Sequence, residues 1–127
     1  MAYNLGNYRM PFVSSSTNLT AFTSFAWYPK VAMEITGVEA LVTTVIGSPT
    51  TEAIFTIYVD GVAQATITCT AATAVGKEIS AVLATGKVFP LQVAVGSYVT
   101  ISLTTVASGG TTTGVVQFIF DGREYPQ

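Results

Sequence analysis

The chain has no histidine, one cysteine, and charged residues at only 9% of its 127 positions. Each shortage closes off a kind of chemistry. Without histidine there is no imidazole base, no Ser-His-Asp triad and no His-ligated metal. One cysteine cannot build an internal disulfide framework or a Cys-rich zinc site. Five basic residues, scattered from Arg9 to Arg123, form no basic patch, so no nucleic-acid partner is expected. No apolar run reaches the roughly 18 residues a spanning helix needs, so no membrane partner is expected either. Residues 1–9 lack a basic n-region followed by an apolar stretch, which leaves synthesis in a host cytoplasm without a signal peptide as the expectation.

Threonine and serine take the place of the missing charge. There are twenty Thr and nine Ser, and half of all residues are hydrophobic. Thr is β-branched and suits a pleated, half-buried surface. A Thr-coated surface of low charge also costs little to desolvate, so it buries readily against a partner. The length fits one domain with a self-sufficient core.

The chain reads as all-β, an antiparallel sandwich of about eight strands behind an extended N-terminal arm. Residues 1–20 are the expected arm, and residues 21–127 the single sandwich domain. Val31–Ile35 and Val38–Ile46 read as one long strand or two, bulged at Gly37, with Val38, Ala40, Val42, Thr44 and Ile46 on one face. Ala53–Val59 and Val62–Cys69 flank an Asp60-Gly61 turn. Matching apolar faces across this hairpin favours a three-residue loop with Gly61 as a bulge, pairing Phe55 with Ala65 and Ile57 with Ala63. Weaker strands are expected over Glu78–Leu83 and Lys87–Phe89, around Gly86. Strands over Val93–Val95 and Tyr98–Thr105 flank Gly96, Val115–Phe120 is the last strong strand, and Asp121–Gln127 reads as a polar tail. The core candidates are Val42, Phe55, Ile57, Ile67, Ile79, Val99, Ile101, Leu103, Phe118 and Phe120. A jelly roll, eight strands in two Greek keys, is the first choice of topology. An immunoglobulin-like sandwich is second, without its Cys…Trp…Cys spacing.

The search for catalytic groups returns little. Cys69, in an Ile-Thr-Cys-Thr strand context, reads as a buried, inert thiol, since a nucleophile would need a base the chain lacks. The seven carboxylates fall in no nucleotide-binding or calcium loop. Asp60 and Asp121 each precede a glycine, as turns require. A carboxylate pair of the glycosidase kind is the one arrangement left open. Residues 109–114 superficially resemble a phosphate loop but lack its lysine and helix, and read as a flexible strand connection. Asn18-Leu19-Thr20 reads as a chance glycosylation sequon. No catalytic residue, metal or cofactor is expected.

Aromatic residues gather in the first quarter of the chain, where they serve as interface anchors or sugar-stacking rings. Phe22 and Phe25 are expected to cover an open end of the sandwich. Tyr3, Tyr8, Arg9 and Phe12 on the arm, Trp27 and Tyr28 after it, and Arg123 and Tyr125 in the tail are the candidates for contact with a partner.

The stretches Ile35-Thr36-Gly37-Val38-Glu39-Ala40-Leu41-Val42-Thr43-Thr44 and Pro90-Leu91-Gln92-Val93-Ala94-Val95-Gly96-Ser97-Tyr98-Val99-Thr100-Ile101 resemble those of the small jelly-roll decoration (cement) proteins of tailed bacteriophage capsids. The second is an apolar run, a glycine, a polar residue and then an alternating strand. The resemblance spans residues 31–120 in style and implies a non-enzymatic structural protein of the virion. Its expected partners are the major capsid protein and further copies of itself in a homotrimer. The alternative is a carbohydrate-binding β-sandwich module of a tail or receptor-binding component, which asks for a solvent-facing Trp27.

Overall fold

β-branched and aromatic residues alternate with polar ones between Gly and Pro breaks, and no segment sustains a helical period, so the chain has only strands to pack. The computed structural model describes residues 8–10, 17–21 and 24–124, with backbone alone at 8–10 and at Ser24. Among these described residues there are eleven strands: β1 (Tyr8–Met10), β2 (Thr17–Asn18), β3 (Ser24–Trp27), β4 (Met33–Thr44), β5 (Ile54–Val59), β6 (Val62–Thr68), β7 (Glu78–Ser80), β8 (Val82–Leu83), β9 (Leu91–Val93), β10 (Val99–Thr105) and β11 (Val115–Glu124). They form a β-sandwich of two antiparallel sheets. In the six-stranded sheet β11 and β4 lie side by side, with β1 and β2 along the free flank of β11 and β7 and β9 along that of β4. The five-stranded sheet runs β3-β10-β5-β6-β8. The pairings nest: β5 with β6, β4 with β9, β3 with β10, β2 with β11.

Aromatic rings tie the two sheets together. Val116, Phe118, Phe120 and Gly122 alternate toward the core along β11. Phe118 meets Phe55 of the opposite sheet edge-on at a centroid distance of 4.9 Å, and Phe25 at 5.9 Å. Such pairs add to the hydrophobic gain of burial. The expected core residues are buried, except Ile79, which is half-buried. Leu19, Ile35, Leu91 and Val93 join them.

β4 is one strand, irregular at the expected place. Met33 and Ile35 face the core, as do Val38, Ala40 and Val42, so the alternation slips by one between Ile35 and Val38. The pairing shifts there too: Gly37 lies opposite Asp121 and Ile35 opposite Gly122, leaving Thr36 as the extra residue of a bulge. Thr44, expected inward, is exposed.

The β5–β6 hairpin corrects the expected register. Val59 pairs directly with Val62, and Asp60 and Gly61 both have positive φ, 51° and 79°, so the loop has two residues in a type I′ turn. The phase problem is solved elsewhere. Tyr58 pairs with Ala63 but Ile57 with Ala65, so Gln64 is the extra residue, and Phe55 faces Ile67. The apolar faces do match; the slip sits three residues beyond the turn rather than inside it.

Further expectations are revised. Asp121-Gly122 is no turn, because β11 runs on to Glu124 and the expected tail begins inside a strand. Residues 8–10 and 17–18 of the expected arm pair with that longer β11. Glu78–Leu83 splits, β7 joining β4 and β8 joining β6, and Lys87–Phe89 forms no strand. The loop at residues 109–114 is bound to residues 47–51: Gly47 N–H donates to Thr113 O at 2.9 Å, and Thr51 N–H to Ser108 O at 2.9 Å. A Cβ on Gly109, at φ 71°, would come within 2.5 Å of Thr50 Oγ1, so both conformation and space require glycine there.

Candidate functional site

The outward faces of the two sheets differ in charge. Cross-strand register places Ala26, Thr100, Tyr58 and Ala63 in one outward row of the five-stranded sheet, and Ser102, Thr56, Thr66 and Val82 in the next. Ile54 and Thr68 follow. Between these rows, Ile101, Ile57 and Ala65, then Leu103, Phe55 and Ile67, point into the core. No Asp, Glu, Lys or Arg lies in the outward rows. Thr56 and Thr104 hydroxyls bond each other at 2.8 Å, and Thr104 donates to Ile54 O, so this surface satisfies some of its polar groups internally.

The six-stranded sheet carries the charge instead. Its outward rows set Glu34 between Arg123 and Gln92, Glu39 between Ile119 and Ser80, and Leu41 between Gln117 and Glu78. Arg123 Nε donates to Glu34 Oε2 at 2.6 Å, and the carboxylate side is 11% exposed. Glu39 Oε1 and Asp121 Oδ2 both lie over Gly37, 3.2 and 3.5 Å from where its Cβ would stand.

A second feature is the tip of the β5–β6 hairpin. Asp60 Oδ2 accepts from Ser97 Oγ at 2.7 Å and Oδ1 from Tyr98 N–H at 3.1 Å, while Asp60 N–H donates to Tyr98 O at 3.0 Å. The Tyr98 ring lies 5.3 Å from that of Tyr28, inclined by 30°. Tyr28 is 60% exposed.

The candidate contact residues are dispersed. Tyr3, Phe12 and Tyr125 lie outside the described residues, as do the side chains of Tyr8 and Arg9, whose backbones pair with Gly122 and Asp121. Trp27 is half-buried, its indole stacked on Phe120 at 5.5 Å and 19°. Phe25 lies between the sheets against Phe118 rather than over an end; Phe22 is outside the described residues. Arg123 is committed to Glu34. Only Tyr28 of the described candidates stands out in solvent. Tyr98, against which it lies, and Asp60, bonded to Tyr98, carried no signal in the sequence beyond strand and turn, because their link is between two turns far apart in the chain.

Cys69, Glu52 and Asn18 have structural surroundings. Cys69 is fully buried, and burial together with the nearby Glu52 carboxylate pushes its thiol up to about 12. Glu52 Oε2 accepts from Ala71 N–H at 2.6 Å. Asn18 Oδ1 accepts from Thr20 N–H and Ala21 N–H at 3.1 and 2.8 Å, so the sequon asparagine closes a local turn. Among the described residues no three His, Cys, Asp or Glu side chains cluster to hold a metal ion, and no helix is long and apolar enough to cross a membrane. A cavity of about 250 Å³ beside β6 and β9, lined by Val59, Gln64, Lys87, Val88, Pro90 and Gln92 with Gly86 and Leu91, includes no carboxylate. No protein-family profile, no curated protein and no solved structure matches the chain.

Proposed function

We propose that the chain is a non-enzymatic structural protein of a virion, a decoration (cement) protein on the outside of a phage capsid. It would bind the major capsid protein and further copies of itself, a homotrimer being the favoured assembly, and would need no cofactor. The observation that carries this reading is the outward face of the five-stranded sheet, where neutral side chains from every strand share one surface. Burying such a face strands no charge and costs little desolvation. The opposite, charged face then keeps the assembly soluble.

The nested pairing supports the jelly-roll part of the reading. A jelly roll is a long antiparallel ribbon rolled up so that its first strand pairs with its last, its second with its next to last, and so inward. Here β2 pairs with β11, β3 with β10, β4 with β9 and β5 with β6, with β7 and β8 as additions between β6 and β9.

The carbohydrate-binding alternative asks for exposed, coplanar rings. With Trp27 stacked on Phe120, it rests on Tyr28 and Tyr98, whose planes are inclined by 30°. Size-exclusion chromatography with light scattering tests the assembly reading. The expected species is a trimer, three times 13.3 kDa or about 40 kDa. A strictly monomeric species at high concentration would contradict it.

A further inference from the structure

The carboxylate at the hairpin tip is fixed more firmly than a turn demands. A type I′ turn accepts Asn as readily as Asp at its first position, and Asn could accept the same hydrogen bond from Tyr98 N–H. Asp60 instead brings a negative charge, and its two side-chain hydrogen bonds come from neutral donors, Ser97 Oγ and Tyr98 N–H. The Asp60–Tyr98 backbone bond, 3.0 Å, joins the two turns, and the Ser97 N–H bond to Ala94 O, also 3.0 Å, closes the second of them, so the carboxylate has little freedom.

Aromatic rings lie beside this turn. The Tyr98 hydroxyl lies 3.9 Å from the place a Cβ on Gly61 would occupy, so its ring runs along the turn. Tyr28 sits against Tyr98 on one side.

We infer that this end of the sandwich is a docking point for a basic side chain, an Arg or Lys presented by a protein partner. The cationic group would meet Asp60, and its methylene stem would lie along the rings of Tyr98 and Tyr28. Tyrosine faces attract cations through the ring quadrupole, a carboxylate adds a charge-assisted hydrogen bond, and Arg and Lys stems cover apolar surface. A sugar needs a flat platform for stacking; two rings at 30° do not supply one. The inference stands apart from the capsid reading, since it concerns the chemistry of the contact and not the identity of the partner.

The test is an amide-resolved NMR titration of the full chain with N-acetyl-arginine methylamide, run beside the glutamine analogue and methyl glucoside. The expected result is saturable shifts at Asp60, Gly61, Ser97 and Tyr98 with the arginine compound only. Binding should weaken about 3- to 5-fold in Asp60→Asn and in Tyr28→Ala, and also with added salt. Asp60→Asn keeps the turn, so its unchanged amide spectrum elsewhere reports an intact fold. Absence of saturable shifts, equal shifts with the glutamine analogue, or undiminished binding in Asp60→Asn would overturn the proposal. Shifts with methyl glucoside in place of arginine would overturn it in favour of sugar stacking.

Discussion

Cys69 offers a titration that separates the buried core from everything else on the molecule. Its thiol is fully buried, its N–H donates to Ala53 O at 2.9 Å, and the Glu52 carboxylate is held beside the following turn. Burial first, and that negative charge second, disfavour the thiolate and raise the folded-state value to about 12. In the unfolded chain the same thiol loses its proton at about 8.5. The folded state therefore holds the proton over a pH range in which the unfolded state has released it. Stability from this group is complete below about pH 8.5 and falls as pH rises toward the folded-state value, by about 1.4 kcal/mol per pH unit at most. Between about pH 8 and pH 10 the loss is roughly 1.5 to 2 kcal/mol. Urea unfolding of the native chain and of Cys69→Ala at several pH values isolates it. Groups common to both chains cancel in the difference. The native curve should steepen downward relative to the variant. Parallel curves would refute the reasoning, as would rapid reaction of the native thiol with Ellman's reagent at mildly alkaline pH, which would show an exposed sulfur.

Two further substitutions probe the architecture. Phe118→Ala removes the ring that bridges Phe55 and Phe25 across the sheets, and should cost about 3 to 5 kcal/mol in denaturant unfolding; a loss below about 1 kcal/mol would mean the two sheets do not meet there. Ala72→Gly should stabilise by about 0.5 to 1 kcal/mol, because Ala72 sits at φ 62°, where glycine escapes the Cβ strain and offsets its own greater unfolded-state entropy; a drop in melting temperature would contradict that conformation.

The strands were legible wherever side-chain period alone decides them. β4, β5, β6, β10 and the first half of β11 all show alternating β-branched or aromatic residues, and nine of the ten expected core residues are buried. Local readings failed where a distant strand sets the outcome. Asp121-Gly122 has the look of a turn, but the length of β4 gives β11 a partner to run along as far as Glu124. The same extension offers an edge to residues 8–10, which have no strand signal of their own. In the hairpin, the need to match apolar faces was correctly read from Phe55, Ile57, Ala65 and Ile67, yet a bulge can absorb the slip anywhere along the ladder. Asp60 and Gly61 suit the two-residue turn so well that the irregularity moved to Gln64. The site residues followed the same logic. Tyr28 was readable as an aromatic residue beside a proline. Trp27, one position earlier on the chain, points the other way because strands alternate, and is covered by Phe120. The link between Asp60 and Tyr98 depends on which turns the folded sandwich brings together.

The uncharged face of the five-stranded sheet is the central claim, and one substitution addresses it directly. Thr66 lies in an outward row of that face beside the central strand, opposite Thr56. Light scattering should find the native chain assembled, at about three times its 13.3 kDa mass. Thr66→Lys should reduce it to monomers while shifting the melting temperature by only a few degrees, since a surface substitution of this kind costs about 0.5 kcal/mol. A native chain that remains monomeric at high concentration, or a Thr66→Lys variant that assembles as the native chain does, would contradict the account.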